Sequence, residues 1–319
     1  MRALLIVNPH ATSTTRQRRD VIVRALASAV DLEVVETRYR GEATGLAATA
    51  AADKFGLVMT LGGDGTVNEA VNGILGNPDD PQARSDAADL PALAALPGGN
   101  ANVFTRSLQL PSDPVDAAGR LIEDIASGRE RCIGLGTANG RYFTFNAGLG
   151  LDAEVVRAVE GRRARGQVLT PALFFTTALR QFYRVTDRRH PAISITHPPG
   201  LCPEDAYLCI VSNSAPWTYL GRRPVNPSPH ASFDTGLDLM ALRRLGTVST
   251  MRTVRQMLAS RTEPPRGRTV ASGHDLDSIV LAADRPVAFQ LDGEYMGEVE
   301  QVSFRSVPRA LRVVGLPEG

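Results

Sequence analysis

Ala3-Leu4-Leu5-Ile6-Val7 is an unbroken apolar run that Asn8-Pro9 brings to a stop. A strand buried on both faces reads this way, because neither row of its alternating side chains meets water. Apolar residues then recur at helical spacing over 16–29, at Val21, Ile22, Ala25, Leu26 and Ala29. Val34-Val35 predicts a second strand and the alanine-rich stretch 43–54 a second helix. Residues 57–61 form a third buried run, which ends in Gly62-Gly63-Asp64-Gly65-Thr66 and leads into a helix over 67–75. A fourth strand, 92–96, ends in Pro97-Gly98-Gly99-Asn100. Strands alternating with helices imply a parallel α/β sheet, whose ligands sit beyond the carboxyl ends of the strands. The turns after Val7, Leu61 and Leu96 all fall on that edge.

After about Arg131 the pattern changes. Short β-like runs at 142–146, 192–196, 207–212 and 287–291, with turn residues dense between them as in 221–229, predict an antiparallel β domain. Helical insertions such as 173–183 interrupt it, and the run 310–314 is strand-like again. The polar stretch 77–89 reads as a loop.

A chain of 319 residues is long enough for two domains with cores of their own. Hydrophobic residues at 43% and charged residues at 22% fit a soluble globular protein. The net charge of +1 argues against a nucleic-acid binder. That average conceals a basic middle: residues 151–270 carry 17 basic against 9 acidic side chains, while 1–150 carry 14 against 17 and 271–319 carry 4 against 8. An anionic surface or ligand is one reading of this asymmetry, and a scatter of solvated arginines is the other. Cys132, Cys202 and Cys209 have no metal-binding or redox spacing and read as free thiols in a reducing compartment. Neither a secretory leader nor an apolar run of about 18 residues is visible, so the expected location is cytoplasmic.

Three segments carry candidate chemistry. In 61–69, glycines at 62, 63 and 65 let backbone approach phosphate oxygens, and the following helix turns its N–H groups toward them. Thr66 offers a hydroxyl, and Asp64 is an acid where phosphates and a magnesium ion would gather. The second glycine turn, 97–102, lies on the same sheet edge and makes a phosphate cradle the better reading of both. The third segment is Phe289-Gln290-Leu291-Asp292-Gly293-Glu294. Asp-Gly is a common hairpin signal. Functionally, the two carboxylates could take a proton from a hydroxyl and orient it or hold metal-bound water.

Together these segments resemble the diacylglycerol-kinase catalytic family, which includes bacterial lipid kinases, sphingosine kinases and ceramide kinases. Asn8-Pro9, Gly62 to Thr66 with Asn68-Glu69, Pro97 to Asn102 with Phe104 and Arg106, and Leu291 to Glu294 occur in the family's order. The stretch 145–153 is similar to the family's passage into its second domain. The Gly-Gly-Asp-Gly core is shared with NAD kinases and phosphofructokinases. The resemblance implies an α/β nucleotide domain at 1–131, completed by a returning strand at 305–319, and an antiparallel β-sandwich lipid-substrate domain at 132–304. It implies ATP in the cleft between them, bound by Asn8, Pro9, His10, Ala11, Thr12, Thr37, Gly62, Gly63, Asp64, Gly65, Thr66, Asn68, Glu69, Gly98, Gly99, Asn100 and Asn102. It further implies magnesium at Asp64, Asp292 and Glu294, with the general base within Asp292-Gly293-Glu294.

Where the family usually has glycine this chain has Thr12, where it has threonine this chain has Asn100, and Asn102-Val103 replaces a frequent Asn-Asp pair. A structural magnesium site would use Asp234 and Leu237, with Thr235 standing where bacterial relatives often carry aspartate. The implied function is ATP- and magnesium-dependent transfer of a phosphoryl group to a hydroxyl of diacylglycerol or a similar lipid. Apolar side chains of 169–182 (Leu173, Phe174, Phe175, Leu179, Phe182) and of Trp217 to Leu220 are candidates for the acceptor groove. Arg162, Arg163, Arg165, Arg188 and Arg189 are candidates for peripheral contact with the anionic inner face of a membrane. The oligomeric state is open, a homodimer being one option. Two other functions remain: a kinase of a soluble acceptor such as NAD or a sugar, and a nucleotide- and lipid-binding module without turnover. The Asp-Gly-Glu element in its late β setting favours lipid over the first, and the presence of Asp64, Asp292 and Glu294 speaks against the second.

Overall fold

The computed structural model describes residues 1–11, 15–80, 87–163, 165, 167, 171–185, 190–197, 206–259 and 262–315. Thr12, Leu169, Arg188, Arg189 and Cys202 lie outside the described residues, as do the side chains of Arg163, Phe174 and Phe175. The chain forms two compact units. The first comprises Met1–Leu135, Gly140–Tyr142 and Pro308–Gly319, the second Gly136–Asn139 and Phe143–Val307.

The first unit runs β1 (Arg2–Val7), α1 (Arg16–Ala27), β2 (Asp31–Glu36), α2 (Glu42–Ala52), β3 (Leu57–Gly62), α3 (Asp64–Leu75), β4 (Ala92–Pro97), α4 (Val103–Ser107), α5 (Pro114–Ala126), β5 (Glu130–Ala138) and β6 (Arg141–Phe143). Strand β1 lies between β2 and β3, and β4 lies beyond β3, all parallel. The end of the chain's last strand joins β4, also parallel, through Val313 and Leu93. Residues of β1 from Ala3 to Val7, and all of β3 and β4, are buried, whereas β2 is an exposed edge. Each large apolar side chain so buried contributes about 1.5–3 kcal/mol, which is why these runs are apolar without alternation. From β1 the chain crosses one way to β2 and then the other way to β3. The carboxyl ends of β1 and β3 therefore flank a switch point, the usual place for a ligand in such a sheet.

Helices α2 and α3 approach closely because their contact is made of small residues. A methyl group on Gly73 of α3 would overlap the Thr44 carbonyl and sit 2.8 Å from Ala47 Cβ. Nine of the twelve residues of α3 are buried, so the helix that starts at the glycine turn is held firmly.

The second unit runs β7 (Asn146–Gly150), α6 (Leu151–Arg163), α7 (Pro171–Arg180) with a π turn at Gln181–Val185, β8 (Ile193–His197), β9 (Leu208–Ser212), β10 (Thr218–Leu220), β11 (Arg223–Val225), β12 (Leu237–Leu242), α8 (Thr247–Leu258), β13 (Val270–Leu276), β14 (Ser278–Leu291) and β15 (Glu294–Val314). Its antiparallel order is β13-β12-β9-β7-β14-β15, with β8 on the first half of β14. The register of β14 shifts between Ala282 and Val287, so its halves pair with different strands, β8 and β7. Side chains from both halves meet in one core with Phe143, Leu149, Val211, Leu239 and Phe304. The opposite face packs a second core, in which Leu151, Val155 and Val159 of α6 meet Ile210, Met240 and Met257. An α/β domain followed by a β-rich domain is the architecture expected from the periodicity.

Several elements differ in detail. Residues 142–146 are divided between β6 and β7, α3 begins at Asp64 instead of Val67, and the helix of 173–183 closes in a π turn. Phe182 belongs to the second core, and Trp217 and Leu220 pack against it, so these three expected groove residues serve packing.

Candidate active site

Asn8 continues β1 past its end. Its N–H donates to the Leu61 carbonyl at 3.0 Å and its carbonyl accepts the Ala11 N–H, which turns the chain out over the sheet edge. The side chain closes an Asx turn by accepting the His10 N–H at 2.9 Å, and its amide donates to Thr66 Oγ1 at 3.3 Å. A cleft of about 270 Å³ opens here at the switch point, with Val7, Asn8, Pro9, Ala11, Arg16 and Leu61 in its wall. Thr37, at the end of β2, is tied to the neighbouring Val7 carbonyl by its N–H at 2.9 Å.

The turns after β3 and β4 lie back to back. The Gly98 N–H donates to the Gly62 carbonyl at 2.7 Å. A Cβ on Gly98 would fall 2.8 Å from Gly62 Cα, and one on Gly99 would fall 2.7 Å from Gly63 Cα. Backbone is packed on backbone, so Gly98 and Gly99 are required by the turn they face, while a Cβ on Gly62 would instead fall 2.6 Å from Thr66 Oγ1. Gly63 differs: a Cβ there meets only Gly99 Cα at 3.4 Å, an ordinary contact. Asn102, at φ +48°, shapes the second turn by accepting the Gly99 N–H at 2.7 Å and donating to the Gly99 carbonyl at 2.8 Å. Asn100 at its tip is exposed.

Helix α3 starts at Asp64 with no side-chain cap, so its positive end faces the edge where the turns meet. Asp64 Oδ1 accepts the Phe104 N–H at 3.0 Å, linking α3 to the start of α4. Asn68 and Glu69 point elsewhere. Glu69 takes the N–H groups of Gly41 and Ala43 at 2.8 and 3.2 Å, capping α2 where Gly41 has no side chain to do so. Asn68 donates to the Tyr142 carbonyl at 3.0 Å and accepts from the Arg141 guanidinium at 2.7 Å. The sequence gives no sign of these partners, which are far away along the chain.

In the second unit, Asp292-Gly293 is the two-residue loop between β14 and β15, with Leu291 paired to Glu294. Both loop residues have positive φ, +48° and +77°, as a type I′ hairpin demands and Asp-Gly allows. The hairpin and functional readings of this segment coexist. Asp292 is buried, and its carboxylate faces a nest of backbone N–H groups. One oxygen accepts from Thr144 N–H at 2.7 Å and Thr144 Oγ1 at 2.8 Å, the other from the N–H groups of Phe145 at 2.9 Å and Asn146 at 3.1 Å. Four donors occupy all four lone-pair directions of a carboxylate. The expectation that Asp292 takes a proton or holds magnesium meets this geometry badly: the group is an anchor. Glu294, two residues on, is half-buried.

Asp234 is exposed, and Leu237 lies in the core at the start of β12. The Thr235 hydroxyl is turned back to the carbonyls of Ser232 and Gly236 at 3.2 and 3.3 Å. Among the described residues no group of three or more His, Cys, Asp or Glu side chains is placed to hold a metal ion.

Residues 2–138 match the family model described as the diacylglycerol kinase catalytic domain. The chain is 31% identical to the diacylglycerol kinase of Staphylococcus saprophyticus over 144 residues, 44% of this chain and 43% of that protein. Against the diacylglycerol kinase of Bacillus subtilis it is 31% identical over 164 residues, 50% of each. The chain thus spans about half the length of the curated relatives it matches. Two solved structures from Bacillus anthracis strain Sterne each cover 99% of this chain, and 97% of their own length is covered. One, named a diacylglycerol kinase, gives a TM-score of 0.69 at 20% identity, and the other, named so provisionally, 0.76 at 24%. At these identities the likeness is one of fold, and it extends to both domains.

Two predictions follow from the packing. Gly99→Ala forces backbone apart and should cost about 1–3 kcal/mol of stability, whereas Gly63→Ala should melt like wild type; equal melting temperatures for the two variants would contradict the back-to-back packing. Asp292→Asn puts an amide NH₂ against N–H donors and should cost about 2–3 kcal/mol, more than Glu294→Gln, whose side chain is half-buried. Denaturant titration of both variants checks this, and an Asp292→Asn protein as stable as wild type would remove the anchor.

Proposed function

We propose that the protein is an ATP- and magnesium-dependent lipid kinase, transferring the γ-phosphoryl group to a hydroxyl of diacylglycerol or a similar lipid. The observation that carries this reading is the pair of back-to-back glycine turns at the switch point, in a segment that matches the diacylglycerol kinase catalytic domain. Phosphoryl transfer depends on positioning and charge neutralisation more than on covalent chemistry, and a backbone cradle is suited to both.

In this reading the Gly63 turn and the first turn of α3 take the phosphates, whose charge the helix end favours. Thr66 Oγ1 accepts from Asn8, and its own hydrogen could be donated to a phosphate oxygen. Asn8 to Thr12, Thr37, Gly98, Gly99, Asn100 and Asn102 complete the nucleotide set, with Asn68 and Glu69 supporting it from behind. Of the carboxylates, Asp64 and Glu294 have the donor chemistry magnesium prefers, and Asp292, saturated by four donors, does not fit as a ligand. When bound with ATP, magnesium would neutralise charge on the phosphates. Glu294 is the general base: it takes the proton of the acceptor hydroxyl as the new P–O bond forms and the ADP oxygen leaves.

The acceptor is a lipid in this proposal because the Asp-Gly-Glu turn is set in a β-rich domain. The basic balance of residues 151–270 suits approach to an anionic membrane face. No described helix is long and apolar enough to cross a membrane. The test is incubation of the protein with γ-labelled ATP and a lipid extract, with the labelled product identified by mass. Label should enter a lipid, and Glu294→Gln should lower the rate by on the order of 10²–10⁴-fold with ATP affinity retained. Label passing only to a water-soluble acceptor would overturn the lipid assignment, and full activity in Glu294→Gln would remove the base.

A further inference from the structure

Asp152 is a buried acid for which the proposed chemistry has no use. It sits at the start of α6 with 5% of its surface exposed, beside Gln290 and Asn146, which are 1% and 2% exposed. Gln290 Nε2 donates both hydrogens, one to Asp152 Oδ2 and one to Asn146 Oδ1, each at 2.8 Å. Gln290 Oε1 accepts the Gly293 N–H at 2.9 Å. The orientation of these amides is determined from outside. Asn146 Nδ2 donates to the Trp217 carbonyl at 2.8 Å, so Asn146 must present its oxygen to Gln290. Gln290 must then turn nitrogen toward Asn146 and Asp152, and oxygen toward Gly293. Space for the network is kept by Gly148, where a Cβ would overlap the Asp152 carboxylate and lie 2.8 Å from Gln290 Nε2. Gly293 is the residue between the anchor Asp292 and the proposed base Glu294.

We propose that Asp152 is a positioning residue for the Asp292–Glu294 turn, acting through Gln290, and that its ionisation switches the hold on Gly293. As a carboxylate it only accepts hydrogen bonds, which agrees with the amide orientation just described. As an acid it carries an O–H that needs an acceptor, and the acceptors in the network are Asn146 Oδ1 and Gln290 Oε1, the latter being the atom that holds Gly293. Protonation therefore sets Asp152 against the clamp. Burial, opposed in part by the Gln290 hydrogen bond, raises its pKa from the ordinary 3.8 to about 6, which brings the switch near neutrality.

Ionisable groups on the neighbouring elements are engaged elsewhere. Along α6, Glu154 accepts from Gln181, Arg157 pairs with Glu298, and Glu160 accepts the Tyr295 N–H. Arg162 lies ten residues on, about 15 Å along the helix. On β14, Asp284 and Arg285 pair with each other, and Cys209 of β9 belongs to the core on the other face of the sheet. Arg180 and Tyr183 of the α7 segment are exposed. The residue becomes relevant to catalysis only through Glu294, so the inference rests on the function proposed above.

A direct test does not depend on turnover. Asp-Gly occurs only twice in the sequence, at 64–65 and 292–293. Protein labelled with ¹³C-carbonyl aspartate and ¹⁵N-glycine therefore gives two filtered amide signals, and the Asp64→Asn variant identifies that of Gly65. Between pH 5 and 7.5 the Gly293 signal of the wild type should titrate with a midpoint of about 6. In Asp152→Asn, which keeps the shape and an accepting oxygen, it should not. In parallel, wild-type kcat/KM on a short-chain lipid acceptor should fall about tenfold per pH unit below the midpoint, and Asp152→Asn should lack that limb with KM for ATP unchanged. A Gly293 signal indifferent to pH in the wild type, or one that titrates equally in Asp152→Asn, would overturn the proposal. Titration of Gly293 as expected in a protein that phosphorylates no lipid would instead overturn the kinase reading and leave the network standing.

Discussion

A carboxylate taken out of water has to recover about as many hydrogen bonds as it gives up, and Asp292 recovers four from one segment of three residues. This requirement organises much of the second unit. To aim three successive N–H groups at one point, the chain bends at 144–145, so β6 and β7 are separate strands where a β-like run suggested one. The same contact fixes the β14–β15 hairpin to β7, since Asp292 also donates its own N–H to the Asn146 carbonyl at 2.8 Å. With its partner two residues earlier so occupied, Glu294 is presented at the end of a hairpin that has little freedom to move. One acid supplies the rigidity, and the other is the base of the proposed chemistry.

The first unit meets an analogous demand with no side chains at all. Where two turns pack N–H on carbonyl and Cα on Cα, positions 98 and 99 must be glycine, and the result is a surface made of backbone. Such a surface suits phosphate, whose oxygens accept from N–H groups without competing for space. Behind it, Glu69 and Asn68 use charged and amide side chains to hold α2 and β6 in place, which leaves the exposed side of α3 to its own backbone. Rigid support for a backbone cradle is what positioning catalysis requires.

The parallel sheet was legible in the sequence because its strands are buried on both faces and end in glycine or asparagine turns. The candidate residues at those turns were legible for the same reason: spacing along the chain maps directly onto one sheet edge. Other elements were legible in principle, such as α5, which starts at Asp113-Pro114 with the aspartate accepting the N–H groups of Val115 and Asp116. Helix α6 was not, since it follows β7 without a loop, through Gly150 at φ +76°. The roles of Asp292, Asn68, Glu69 and Gln290 depend on partners 148, 73, 28 and 138 residues away, and no periodicity encodes such a pairing. A glutamine within the apolar run 287–291, and an aspartate in the stretch 145–153, were the signals of the inner network. Both are ambiguous until the strands are paired.

The central claim is that Glu294 acts as a base in a direct transfer from ATP to the acceptor hydroxyl. The alternative role for a carboxylate in phosphoryl chemistry is nucleophilic, through a phosphorylated side chain. The stereochemical course at phosphorus separates the two. With ATP made chiral at the γ-phosphorus by oxygen isotopes, a single in-line displacement inverts the configuration, whereas two successive displacements restore it. The account predicts inversion in the phosphorylated lipid; retention would contradict it.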